Sequence, residues 1–239
     1  MAGKFFGQGS DPASRATYLA VMERDPALLE GRMVLGPVAT SSFMGDPKRF
    51  AFSFSRYKFV NRMLESAGSV VEIGCQEGLG GMVVAHARRE YLGLDFFREH
   101  IEHALAHVAP HKPNMDFRGH DILDGPVVDS RGEAFDGAFS LDVVEHISPD
   151  QEHLYYRHIA RSLKPGGIAV IGTPSLESQV HASEASRIGH INCKSGPDLA
   201  ETCRAYFKTV LSFGMNDEVV NTGYPAMSHY LFAVCIDPR

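Results

Sequence analysis

Residues Val70 to Gly81 read VVEIGCQEGLGG. A β-branched run ends in an acidic residue, enters a glycine-rich turn and then resumes with apolar residues at helical spacing. This pattern predicts a parallel strand running into a ligand-binding loop at the carboxyl edge of an open α/β sheet. Dinucleotide binders place glycines so that a helix N-terminus can meet a pyrophosphate. Here the middle glycine position is Gln76, and Glu77 adds a negative charge. An anionic pyrophosphate is disfavoured beside that charge, whereas a cationic ammonium or sulfonium group is not. Glu72, at the strand end, points the same way.

The segments that follow sharpen this reading. Tyr91 to Asp95, YLGLD, is a short apolar strand closing on an acid about 20 residues beyond the first, where a carboxylate can accept ribose hydroxyls. Asp116 to Asp121 reads DFRGHD, which offers Asp121 to an adenine amino group. Phe135 to Ile147, FDGAFSLDVVEHI, is a strand emptying into Asp142, Glu145 and His146, and Leu163 to Pro174, LKPGGIAVIGTP, is a turn followed by a buried strand. In this order the segments resemble the class I S-adenosylmethionine-dependent methyltransferases from about Val70 to Ile236, particularly small-molecule O-methyltransferases with a V-x-E-H-I segment. Gln76 is the visible departure from the glycine pattern.

That resemblance implies a Rossmann-like, doubly wound, seven-stranded sheet with its last strand antiparallel. Strands are expected at 69–73, 91–94, 115–118, 134–141, 168–172, 210–215 and 229–236. Helices are expected at 79–89, 98–108, 151–163 and 197–206. Ahead of the sheet, residues 1–68 read as a helical extension and possible lid, with helices over 12–30 and 53–67 separated by a loop over 33–50. Residues 69–239 form the methyltransferase domain, and 216–228 is a long connection before the final strand.

The cofactor implied is S-adenosyl-L-methionine. Its site would draw on Glu72, Gly74, Cys75, Gln76 and Gly78 for the amino-acid end and Asp95 with Phe96 for the ribose. Asp121 with Ile122 would take the adenine, and Asp142 would lie near the methionine. A hydroxyl acceptor benefits from a base that titrates near neutrality, and histidine is the natural choice. His190 and His146 are the catalytic candidates. Arg56, Tyr57, His181 and Asn192 are candidate acceptor contacts. Methyl transfer to a small polar hydroxyl, as in a sugar or secondary metabolite, is the leading expectation. The alternatives are an N-methyltransferase and a non-catalytic cofactor-binding module.

Composition bounds the partners. The chain has 239 residues, a net charge of −6 and no basic run longer than Arg88-Arg89, which disfavours a nucleic-acid acceptor. No apolar run reaches membrane-spanning length and no signal-like opening is present, so a cytoplasmic location is expected, with a homodimer possible. Four cysteines without CxxC spacing read as reduced thiols. A catechol-type metal set would need an Asp-Asn pair after Asp142, and none follows, so the sequence suggests no metal.

Overall fold

The computed structural model describes residues 12–24, 33–86 and 88–239. By contact density the chain divides into two units, 1–34 and 35–239. In the first, α1 covers Pro12–Arg24, within the expected helix over 12–30. Residues 25–30 of that expectation lie outside the described residues.

The second unit is built on an eight-stranded sheet in the order β3-β2-β1-β4-β5-β8-β6-β7. The strands are β1 Ser69–Ile73, β2 Glu90–Asp95, β3 Met115–Gly119, β4 Phe135–Leu141, β5 Leu163–Pro174, β6 Phe207–Asn216, β7 Val219–Asn221 and β8 Tyr230–Pro238. β3, β2, β1, β4 and β5 pair in parallel, and β8 inserts antiparallel between β5 and β6. The expected doubly wound sheet with its last strand antiparallel is therefore present. An eighth strand is added, because Val219–Asn221 folds back on β6 as a short antiparallel edge within the connection expected to be irregular.

After β1 the chain winds outward through β2 and β3, then returns to place β4 on the other flank of β1. Loops at the carboxyl ends of β1 and β4 therefore diverge to opposite sides and leave a crevice, the position where such sheets bind ligands. Alternation along β1 sends Val71 and Ile73 to one face and Val70 and Glu72 to the other. The first face packs under α6 (Glu152–Arg161) and α8 (Gly196–Arg204), with Tyr155, Tyr156, Ile159 and Leu199 buried. The second packs under α3 (Lys48–Met63) and α5 (Arg98–His107), through Val60, Ile101 and Ala104.

Three helical expectations are corrected. The supposed loop over 33–50 holds α2, Pro37–Gly45, and α3 already starts at Lys48. The helix expected over 79–89 is only α4, Gly81–Val84. It stops because the fully buried Arg89 turns back beneath it, donating to the carbonyls of Val84, Leu64 and Ala67 and to Asn61 Oδ1. Its guanidinium thus satisfies carbonyls at the ends of two helices, which would otherwise lack donors. The polar segment after β5 also contains α7, Glu184–Gly189, whose N-cap Ser183 accepts from the Ser186 amide. No helix among the described residues is long and apolar enough to cross a membrane.

Candidate active site

The strand-end loop follows the path its glycines permit. Gly74 and Gly78 have φ of +80° and +79°, and a Cβ on either would run into Val143 or Phe117. Gln76 adopts φ +47° as a non-glycine residue, a conformation that costs of order 1 kcal/mol. It is held there because its amide donates to Asp95 Oδ2 at 2.9 Å. Asp95 Oδ1 accepts from the Phe97 amide at 2.9 Å and lies 3.3 Å from His100 Nδ1. One carboxylate thus joins the ends of β1 and β2 and fixes the loop.

Two cavities open on this loop. The larger, about 570 Å³, is lined by Gly74, Gln76, Asp95, Phe96, Asp121 and Ile122, and its wall continues through Asp142 to His146. The smaller, about 220 Å³, lies against α2 and α3 and is lined by Arg56, Tyr57, Cys75 and Glu77, with Gly74, Gln76 and Asp142 common to both. Asp121 is held by accepting from the Leu123 amide at 2.9 Å. Asp142 has φ +57° and pairs with Arg56 Nη1 at 2.7 Å. Arg56 stacks over Tyr230 at 3.6 Å from the ring centroid, a geometry favourable to a cation. Burial works against the Arg56 charge, but Asp142, Tyr230 and Glu145 outweigh it and raise its pKa.

Two sequence assignments change. Glu72 lines neither cavity and is 1 % exposed. It points into the core on the α3 face, where the hydroxyls of Tyr57 and Tyr91 donate to it. Glu77 does line the smaller cavity, but its oxygens accept the Val38 and Ala39 amides at 2.7 and 3.0 Å. Its charge therefore caps the N-terminus of α2, where a carboxylate is favoured. Gly78 likewise lies outside both cavities and serves the close approach to Phe117.

Burial pushes the Glu72 carboxyl from its ordinary 4.5 up to about 7, against the opposing tyrosine hydrogen bonds. Below pH 4.5 it is protonated whether folded or not. Between 4.5 and about 7 only the unfolded chain ionises, so stability falls as pH rises and then levels. The difference is about 3 kcal/mol at 1.36 kcal/mol per unit. Unfolding measured at pH 5 and pH 8 should therefore show a smaller loss for Glu72→Gln than for the parent chain. Equal losses would remove Glu72 from the pH response.

The acceptor-side candidates separate into two groups. His146 and His190 come together, their rings 5.2 Å apart. His146 Nδ1 is 2.9 Å from the Gly189 carbonyl, and His190 Nδ1 is 2.9 Å from Gln179 Oε1. Gln179 Nε2 donates to the Ser175 carbonyl, which fixes its Oε1 toward His190. Both partners accept only, so each neutral imidazole carries its proton on Nδ1 and its lone pair on Nε2. Burial and the neighbouring His146 lower the His190 pKa. Asn192 and His181 do not join them. Asn192 lies outside both cavities and donates to Glu152 Oε2 at 2.8 Å, tying the loop to α6, while His181 is exposed at the end of a short turn.

The sequence reading missed Gln179, whose only role is to orient His190, and the α2 and α3 residues Val38, Phe50 and Phe54 that wall the smaller cavity. It placed Glu145 at the strand end without a function. Glu145 is fully buried, accepts from Thr173 Oγ1 at 3.1 Å and leaves Oε1 without a partner. Burial, with the charge of Asp142, pushes its carboxyl up to about 8.

Residues 70–167 match the methyltransferase domain family model. This chain carries a class I S-adenosylmethionine-dependent methyltransferase domain. A probable S-adenosylmethionine-dependent methyltransferase of Mycolicibacterium smegmatis is 30% identical to the domain-bearing region over 125 residues, covering 51% of this chain and 45% of that protein. A ubiquinone biosynthesis O-methyltransferase of Bartonella tribocorum is 28% identical over 104 residues, 44% of this chain and 40% of its own. The chain thus spans less than half the length of these relatives. Among solved structures, the N-methyltransferase NodS of Bradyrhizobium japonicum, in complex with S-adenosylhomocysteine, superposes with TM-score 0.58 at 19% identity over 79% of this chain and 88% of its own. A 1,6-didemethyltoxoflavin-N1-methyltransferase of Burkholderia thailandensis gives 0.60 at 18%, over 98% and 94%. At these identities the structural likeness establishes the fold of the methyltransferase domain.

Proposed function

We propose that this chain transfers a methyl group from S-adenosylmethionine to a hydroxyl of a small polar acceptor. The observation that carries the reading is the continuous lining from Asp95 and Asp121, through Gly74, Gln76 and Asp142, to His146. Carboxylates suited to ribose and adenine stand at one end, and an imidazole with a free lone pair at the other. The chemistry supplied on cofactor binding is an electrophilic methyl on a sulfonium sulfur. Asp95 accepts the ribose hydroxyls, Asp121 faces the adenine, and Asp142 with the smaller cavity receives the amino-acid end.

The protein's remaining task is to place an acceptor oxygen in line, exclude water and remove its proton. An oxygen–carbon bond forms, the sulfur–carbon pair stays on sulfur, and the hydroxyl proton departs on the side of His146 and His190. The V-x-E-H-I segment shared with O-methyltransferases supports a hydroxyl acceptor, as do the 28% identical ubiquinone biosynthesis relatives. Residues 35–68 act as a cover, since Glu77 holds α2 against the loop and Arg56 joins α3 to Asp142. Four free thiols fit a reducing cytoplasm, where small-molecule biosynthesis takes place.

A screen of sugars, phenols and quinols with methyl-labelled cofactor tests the reading. Label should pass to an oxygen of the acceptor, and exclusive labelling of nitrogen would replace it with N-methylation. With an accepted substrate, His190→Ala should lower turnover at least tenfold while S-adenosylhomocysteine binds as before. An unchanged rate would take His190 out of the reaction.

A further inference from the structure

The His146 and His190 pair has a third member. One ligand atom from each of Glu145, His146 and His190 lies within 4.8 Å of the other two. Three features make this a constructed set. Each histidine is anchored through Nδ1–H to an oxygen, Gly189 O or Gln179 Oε1, leaving Nε2 as the donor atom. Metal-binding histidines carry this kind of outer hydrogen bond, which fixes tautomer and ring orientation. Glu145 is fully buried with Oε1 unpartnered, an acceptor withdrawn from water with nothing to satisfy it. Asp142, three residues before Glu145, is committed to Arg56 and leaves the set at one carboxylate and two imidazoles.

We propose that Glu145, His146 and His190 bind a divalent transition-metal ion of the zinc class at the acceptor end of the cavity. Two imidazoles and one carboxylate suit such ions, and three protein ligands leave positions open for substrate. The ligand atoms close by about 1–2 Å to reach bonding distances of about 2 Å. The sequence held no carboxylate and asparagine pair for a metal. The fold supplies a different set by bringing the loop after β5 across the end of β4, where the Ile191 and Asn192 amides donate to the Glu145 carbonyl.

The inference rests on the methyl-transfer reading for its purpose and deepens it. An open-sided ion binds the acceptor oxygen and lowers its pKa, so the proton leaves to solvent before the oxygen–carbon bond forms. A second oxygen on the neighbouring acceptor carbon can fill another open position. The acceptor class is therefore a vicinal diol or an aromatic diol.

The test uses the full chain stripped of metal and titrated with Zn²⁺ against a chromophoric chelator. S-adenosylhomocysteine binding is measured in parallel. One tight equivalent is expected, weakened at least tenfold in both Glu145→Gln and His190→Ala. His107→Ala, which breaks the His103–His107 pair on α5, should leave that equivalent unchanged. No tight equivalent, or one that survives both Glu145→Gln and His190→Ala, overturns the metal site. Loss of the equivalent in His107→Ala alone also overturns it, by assigning the ion to α5. Failure of S-adenosylhomocysteine to bind while zinc still does would defeat the methyltransferase reading and leave the metal site standing.

Discussion

Arg89→Ala should destabilise the protein by about 3–5 kcal/mol, the scale on which a buried charged group is lost from its partners. For a chain of this size that corresponds to a melting midpoint lower by on the order of 10 °C. Arg89 is 1 % exposed and makes no ion pair closer than 4.0 Å among the described residues. Its charge is offset instead by the carbonyls of Leu64, Ala67 and Val84 and by Asn61, and burial lowers its pKa. Truncation leaves these oxygens buried without donors and opens a void between α3, α4 and β2. Arg89→Lys should recover less than half, because one ammonium cannot span the carbonyls that the planar fork reaches. Arg89 lines neither cavity at the loop, so S-adenosylhomocysteine affinity at permissive temperature should be retained. A thermal midpoint within 2 °C of the parent, a change of roughly 1 kcal/mol or less, would refute this account of why α4 is short.

Asp95→Ala should weaken S-adenosylhomocysteine binding by about 1.5–3 kcal/mol, roughly 10- to 150-fold, the range for hydrogen bonds to a charged group. Two losses combine in that figure. The ribose hydroxyls lose their acceptor, and the Gln76 amide loses the carboxylate that keeps it at φ +47°. Asp95→Asn separates the two. An asparagine oxygen can still accept from one amide, so a loop-dominated effect should be largely rescued, whereas a ribose-dominated effect should not. Calorimetry giving the same affinity for Asp95→Ala and the parent would sink the ribose assignment and with it the orientation of the cofactor in the larger cavity.

The glycine loop and the acids that close successive strands were legible because they are local requirements of the backbone. A strand that ends in a ligand loop needs residues able to take positive φ, and the crevice above it needs carboxylates at fixed positions. Asp95, Asp121 and Asp142 accordingly fall where spacing put them. Glu72 and Glu77 were misread for one reason. Sequence records a charge but not its partner, and the partners here are Tyr57 and Tyr91 in one case and an amide pair 39 and 38 residues away in the other. The short α4 and the unexpected α2 follow from the same limitation, since the groups that end one and cap the other come from distant segments.

The sequence by itself determined the parallel α/β core, the strand-end loop and the identity of the cofactor acids, because strand alternation and glycine placement act over a few residues. Only the tertiary structure decided which carboxylates face the cavity and which are spent on tyrosines or helix ends. It alone brought His190 to His146 and left Glu145 with an unsatisfied oxygen beside them. Burial and long-range hydrogen bonding set these outcomes, and both depend on residues far apart in the chain.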